Sequence, residues 1–330
     1  MFGDIMNKNI KALLLAFLAA ILYAINSPIS KLLLDKVNPT FMASFLYLGA
    51  GLGVFCLYLF NRKKEKKSDR LKRSDLKYTI GMIVLDIFAP ILMMYGLKYG
   101  TSSNASLLGN FEIVATTLIA LIIFNEQVSI KLWIAIIFIT IASIILSFSN
   151  GGFDFSIGSI FVILATCCWG LENNCTKNIS DKSTYQIVIL KGIFSGIGSF
   201  IIALFLKEKL PEFKYIIYTM ILGFTAYGLS IFTYIRAQRT LGAAKTSAYY
   251  AINPFIGSFL SFIILKEVLT INYLIGLIFM IIGTFFVIED TLLVKHTHEV
   301  NINGEIITIE HTHFRNRLGL KEHSHKKFKA

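Results

Sequence analysis

The sequence predicts an all-α integral membrane protein of ten transmembrane helices, arranged as two inverted five-helix repeats. Three observations carry that expectation. Of the 330 residues 55% are hydrophobic and only 16% charged, with a mean hydropathy of +0.66, far more apolar area than a soluble domain uses. The apolar residues come in blocks of roughly 20, the length of helix that crosses about 30 Å of hydrocarbon. A stretch of the first half also returns in the second half in constant register. This composition excludes a secreted disulfide scaffold, a soluble Rossmann-type enzyme and a disordered chain. The formal net charge of +12 belongs mostly to one loop and the C-terminal tail, a distribution that membrane topology explains and nucleic-acid binding does not.

Windowed hydropathy marks the spans at roughly 11–34, 39–61, 78–98, 102–124, 129–148, 156–178, 183–206, 214–237, 242–265 and 270–290. Lys8 and Lys11 precede an apolar run that continues to Leu34, too long for a cleaved signal, so the first span is retained. Most connections are short, which predicts that successive helices are antiparallel neighbours. The one sizeable loop, Arg62 to Lys77, is rich in Lys and Arg. By the positive-inside rule it is cytoplasmic, and an even number of spans then places both termini in the cytoplasm, with the chain in the cytoplasmic (inner) membrane. Cys56, Cys167, Cys168 and Cys175 lie in apolar blocks at no metal or redox spacing and read as small core residues.

The repeat sets the architecture. Asn125-Glu126-Gln127-Val128-Ser129-Ile130 returns as Lys266-Glu267-Val268-Leu269-Thr270-Ile271, and Ala105-Ser106 answers to Thr246-Ser247 in the same register. Each Glu ends one span, where a turn-stabilising role is expected, and Ser129 or Thr270 is placed to cap the next helix. Tyr23-Ala24-Ile25-Asn26 resembles Trp169-Gly170-Leu171-Glu172. Five spans are an odd number, so the second copy runs through the membrane in the opposite sense, as in secondary transporters with a site at the repeat interface. The expected units are residues 1–148, 149–290 and a cytoplasmic tail, 291–330.

Asn104-Ala-Ser-Leu-Leu-Gly-Asn-Phe-Glu112, Phe124-Asn-Glu126, Cys168-Trp-Gly-Leu-Glu-Asn-Asn174, Leu241-Gly-Ala-Ala-Lys-Thr-Ser-Ala-Tyr249 and Asn253-Pro254 together resemble the EamA-like branch of the drug/metabolite transporter superfamily, over nearly all of residues 10–290. The resemblance implies movement of small solutes, usually outward, without ATP hydrolysis. Ile113 stands where the family's first repeat often has Pro, while Pro254 is present in the second, so the helix break near the site is expected on one side only.

Polar residues at depth are the candidate site, because a charge at span centre costs roughly 2.5–3.5 kcal/mol. Asp86, Glu112, Glu172 and Lys191 fall inside spans. Glu172 and Lys191 lie at similar depth on consecutive helices and are placed to pair, either as a structural ion pair or with Lys191 tuning a cation-binding Glu172. The repeat register matches Asn26 to Glu172 and Glu112 to Asn253, so these four are expected to face one another across the substrate path. Ser27, Asn110, Asn173 and Asn174 join the polar set, and Tyr23, Trp169, Tyr249 and Tyr250 are the candidate aromatic wall for a flat or cationic substrate. Pro28 and Pro254 each free a backbone carbonyl. Gly49/Gly53 and Gly192/Gly196 have the spacing of close helix packing.

All six histidines lie in the tail as His-x-His pairs, His296/His298, His311/His313 and His323/His325. Asn303-Gly304 between alternating apolar residues predicts a hairpin with His296 opposite His311 and with His298 and His313 on the same face. Zn²⁺ or Ni²⁺ is the candidate ion there, and no cofactor is required elsewhere. The alternative is a disordered basic tail.

The function expected is secondary export of a small polar or cationic metabolite, with a divalent metal cation as the alternative cargo. The spans hold no Ser/His or paired-aspartate constellation and the chain no phosphate-binding loop, which disfavours an enzyme and an ATP-driven pump. The expected partners are a small-molecule substrate and the lipid bilayer, with no nucleic acid, and a homodimer is the candidate assembly.

Overall fold

A computed structural model of the chain describes residues 2–61, 70–124, 129–148, 156–241, 246, 249–302 and 305–314. Its membrane part is all-helical: α1 (Phe2–Ala24), α2 (Asn26–Leu33), α3 (Pro39–Asn61), α4 (Leu76–Tyr99), α5 (Ser102–Leu108), α6 (Phe111–Phe124), α7 (Ile130–Ser147), α8 (Ile157–Lys177), α9 (Thr184–Phe205), α10 (Phe213–Leu222), a π-helical segment (Gly223–Leu229), α11 (Ser230–Leu241), α12 (Asn253–Leu265) and α13 (Ile271–Leu292). Among the described residues eight helices, counting α1–α2, α5–α6 and α10–α11 as continuous, are long and apolar enough to cross a membrane. Of the other two expected spans, α8 is more polar and α12 is short, its expected beginning falling on residues outside those described. Strands β1 (Leu293–Ile302) and β2 (Glu305–Phe314) follow α13 directly.

Local chemistry sets several helix starts. Ser129 Oγ accepts from Leu132 N at 3.1 Å and Thr270 Oγ1 from Tyr273 N at 3.1 Å, the two caps expected from the repeat. The half of the polar loop at 62–69 and Glu126 lie outside the described residues.

Packing departs from the expectation that successive helices are the main neighbours. The extensive contacts run between the two halves: α3 along α9, α4 along α8, α7 along α13, α1 along α11 and α5 along α12. Contact between α6 and α7 or between α7 and α8 is slight. The reason is the residue type on the facing sides. Hydrocarbon does not drive helices together, so close approach at small residues and interhelical hydrogen bonds do. A Cβ on Gly192 would lie 2.4 Å from Gly51 N, and one on Gly49 2.1 Å from Met220 O. Gly49 and Gly53 therefore serve α10 and the π segment, and it is Gly51 that meets Gly192. Buried serines add bonds to partner backbones, Ser44 Oγ to Gly196 O at 2.8 Å and Ser230 Oγ to Ala19 O at 2.9 Å. Large apolar side chains such as Phe60, Phe205 and Phe285 are turned outward. Cys56 is exposed among them, and the other three thiols are half-buried and unbridged, so the cysteines are not uniformly core.

Helix breaks occur in both halves. α1 gives way to α2 at Ile25, three residues before Pro28, and α12 begins at Asn253-Pro254. The first repeat breaks as well, at Gly109-Asn110, without a proline: Asn110 N bonds Leu107 O and Glu112 N bonds Gly109 O, three-residue spacings that tighten the turn. The one-sided break expected from Ile113 is thus corrected. Glycine's low helix propensity does there what proline does at 254.

Two carboxylates cap helices of the other half. Glu267 accepts from Ser102 N (2.7 Å) and Ser103 N (2.9 Å), and Glu208 from Thr40 N (3.3 Å) and Phe41 N (3.1 Å). Each follows a lysine with left-handed backbone, Lys266 (φ 52°) and Lys207 (φ 54°), which ends its helix and swings the carboxylate across. Glu267 therefore stabilises α5 rather than its own turn. Glu267→Ala is expected to cost about 1–2 kcal/mol through the lost charged caps. Lys266→Gly is expected to add roughly 0.5–1 kcal/mol, since glycine adopts the left-handed region without penalty. Thermal unfolding in one detergent checks both, and the opposite sign for either rejects the capping account.

Candidate functional site

The site is built where α4, α8 and α9 meet. Gly96, Gly100 and Gly158 bring α4 and α8 together, and Gly51 and Gly192 bring α3 to α9. This packing carries Asp86 of α4, Glu172 of α8 and Lys191 of α9 into one cluster. Lys191 Nζ lies 3.0 Å from Asp86 Oδ2 and 3.1 Å from Glu172 Oε1. Asp86 is fully buried and Glu172 almost so, at 0% and 2% exposure. Tyr47 of α3 donates its hydroxyl to Asp86 Oδ1 at 2.9 Å, and Thr176, one turn along α8, donates to Glu172 Oε1. Sequence depth anticipated the Glu172–Lys191 pair; Asp86 is the second carboxylate on the same ammonium.

Glu112 stands beside this cluster. It lies in the first turn of α6, just after the Gly109-Asn110 break, and accepts from Asn173 Nδ2 at 2.6 Å; the same amide reaches Thr116 Oγ1 at 3.3 Å. Glu112 and Asn173 are half-buried. Asn174, next along α8, is spent on packing, its amide donating to Thr116 O and Gly170 O. Asn110 bonds Thr284 Oγ1 at 3.4 Å.

On the facing side is a neutral set. Asn26 donates to Tyr227 Oη at 3.1 Å and accepts from Ser30 Oγ at 3.0 Å. Tyr227 sits in the π segment, a distortion common at functional positions. Its ring packs on Tyr23 (5.5 Å between centroids) and Tyr47 (5.2 Å), and Tyr23 continues to Tyr250 at 6.0 Å. Tyr47 therefore touches the charged cluster with its hydroxyl and the aromatic set with its ring.

The expected site residues thus separate. Asp86, Glu172 and Lys191 come together; Glu112 joins Asn173; Asn26 and Tyr23 join Tyr227. Trp169 is buried in the same apolar core as Tyr47 and Tyr227. Tyr249 packs instead on Phe17, at 5.5 Å, and Asn253 opens α12 half-buried. Sequence reasoning missed Tyr47, Thr176 and Tyr227. Tyr47 and Tyr227 lie within apolar runs with no motif, the signal for Tyr227 being the pair Gly223 and Gly228 around it, while Thr176 follows the polar stretch Glu172-Asn173-Asn174 one turn on from Glu172.

A pocket of about 330 Å³ opens at the end of the bundle formed by Lys31, Gly100, Thr101, Asn104 and Ser159; none of the buried carboxylates lines it. Lys31 closes its wall by donating to Gly100 O at 2.7 Å and to Leu97 O, the C-terminal carbonyls of α4. Among the described side chains of the helical bundle no group of three His, Cys, Asp or Glu is arranged to hold a metal ion.

Apolar helices packed through small residues around internal charges define a multi-pass membrane protein. The chain belongs to the EamA-like transporter family, whose model matches residues 10–148 and 156–289. It is similar to proteins described as uncharacterized transporters in Methanothermobacter thermautotrophicus (26% identity, 81% of this chain and 83% of that one) and Clostridium kluyveri (24%, 83% and 92%). A third, the uncharacterized transporter YyaM of Bacillus subtilis, is 22% identical over 83% and 92%. A solved crystal structure of a protein shares the fold, with a TM-score of 0.62 at 14% identity over 83% of this chain and 94% of that one.

Proposed function

We propose that the chain is a secondary transporter of ten spans in two inverted five-helix repeats, exporting a small polar or cationic metabolite across the cytoplasmic membrane by alternating access, with both termini cytoplasmic. Several features support the repeat reading. The family matches in two stretches of similar length. The register that carries Glu126 onto Glu267 also carries Gly51 onto Gly192, which touch, and Asp86 onto Tyr227. Exchanging the first five spans for the last five leaves the helix pairing unchanged: the α3–α9, α5–α12 and α7–α13 pairs map onto themselves, and α1–α11 maps onto α4–α8.

One observation carries the cargo reading. Lys191 is a single ammonium set against Asp86 and Glu172, with Glu112 beside them, so the cluster holds three carboxylates for one cation. Charge taken out of water without a partner is costly, and such groups inside spans mark substrate or proton paths. A half-buried carboxylate on a span faces the bundle interior rather than lipid, which leaves Glu112 accessible to a proton or a substrate ammonium. Tyr23, Tyr227 and Tyr250 supply ring faces for the rest of a cationic solute.

The test starts from purified protein screened by thermal shift against amino acids, polyamines, quaternary amines and nucleobases, since a ligand of the folded state raises the melting temperature. The stabilising solute is then followed in proteoliposomes. Glu112→Gln and Glu172→Gln are each expected to reduce its flux to background while the protein stays folded. Normal flux in both variants rejects the site.

A further inference from the structure

The ribbon after α13 pairs β1 with β2 from Leu293↔Phe314 to Ile302↔Glu305, and this register puts His296 directly opposite His311. Strand positions alternate faces with a period of two. Residues 294, 296, 298 and 300 of β1 therefore share a face with 307, 309, 311 and 313 of β2, and four of these eight positions are histidine.

The spacing sorts the four. Directly opposed positions have Cβ atoms about 4.5–5.5 Å apart and diagonal ones about 7–8 Å. His298 pairs with Ile309 and His313 with Val294, so each is a diagonal neighbour of the central pair, at opposite ends. Four strand positions separate their levels, about 13 Å at 3.3 Å per residue, so one ion cannot take both. The central pair and one diagonal position are thus the three histidine positions that the register brings nearest to one another. Imidazole nitrogen suits Zn²⁺, Ni²⁺ and Cu²⁺.

We propose that this ribbon is a site for a divalent transition-metal ion, on the face where the register sets His296 opposite His311 with His298 and His313 as their diagonal neighbours. An isolated two-stranded ribbon is marginal in water, so the ion also holds the ribbon together. The third pair, His323/His325, lies outside the described residues and is not needed.

The experiment is calorimetric titration of Zn²⁺ into the full-length protein in detergent, carrying no polyhistidine tag. The parent is expected to bind, and the double variant His296→Ala/His311→Ala to lose the isotherm. Two exchanges keep the number of histidines constant. Exchanging His311 with Thr312 (His311→Thr with Thr312→His) moves the ligand to the other face and is expected to abolish binding. Exchanging His311 with Ile309 (His311→Ile with Ile309→His) places it opposite His298 and is expected to preserve binding. The proposal is overturned if the parent binds no Zn²⁺, or if both exchanges bind like the parent, which makes the count of histidines and not the ribbon responsible. All of these changes lie outside the spans, so the bundle stays folded in each variant.

Discussion

Lys191→Met is expected to destabilise the bundle by about 3–5 kcal/mol, the loss that follows when one partner of a buried ion pair is removed. The ammonium is the cation within 3.0 Å of Asp86 and 3.1 Å of Glu172, and its side chain is only 12% exposed. Methionine fills its volume and leaves two carboxylates facing each other. Tyr47 and Thr176 still donate to them, but neutral donors do not replace a positive charge. The triple variant Lys191→Met/Asp86→Asn/Glu172→Gln removes the charges together and is expected to recover most of the loss, because a neutral set needs no counter-ion. Unfolding of the three proteins, parent, single and triple variant, in the same micelles measures both effects. A single variant as stable as the parent shows that Lys191 is not the counter-ion these carboxylates rely on.

Gly192→Leu and Gly223→Leu are expected to yield no folded protein, and Gly192→Ala to lose about 1–3 kcal/mol. A Cβ at 192 meets Gly51 N at 2.4 Å and Gly51 Cα at 2.5 Å, and one at 223 meets Leu46 O at 2.0 Å. These are backbone atoms of another helix and cannot rotate away, so α3 and α9 must part, or α3 and the π segment. The displacement at 192 falls one residue from Lys191, so Gly192→Ala is also expected to lower flux in whatever protein does fold. Gly81→Ala is the control: its Cβ meets only the Cys175 side chain, at 3.1 Å, which can turn aside. Folded yield by size-exclusion chromatography separates the four variants. Equal yields from Gly81→Ala and Gly192→Leu mean that the α3–α9 crossing is not tight in solution.

The parts of this protein legible in its sequence are those with local causes. Blocks of apolar residues located the helices because the hydrocarbon thickness dictates their length. Asn303-Gly304 located the ribbon and its register because a two-residue turn permits one pairing. Ser129 and Thr270 declared themselves as caps because each bonds an amide three residues on. The Glu172–Lys191 pair was legible for a related reason: two charges at one depth on consecutive helices have few other partners.

Tertiary structure decided the rest. No local pattern tells Asp86 that Lys191 lies opposite, or Glu267 that its partners are Ser102 and Ser103. Sequence could not show that the halves pack on each other rather than each on itself, because alternative pairings bury equally apolar faces in lipid. The choice among them is made where Gly51 meets Gly192 and buried serines reach partner carbonyls, by backbone approach at distances that only one arrangement of the helices permits.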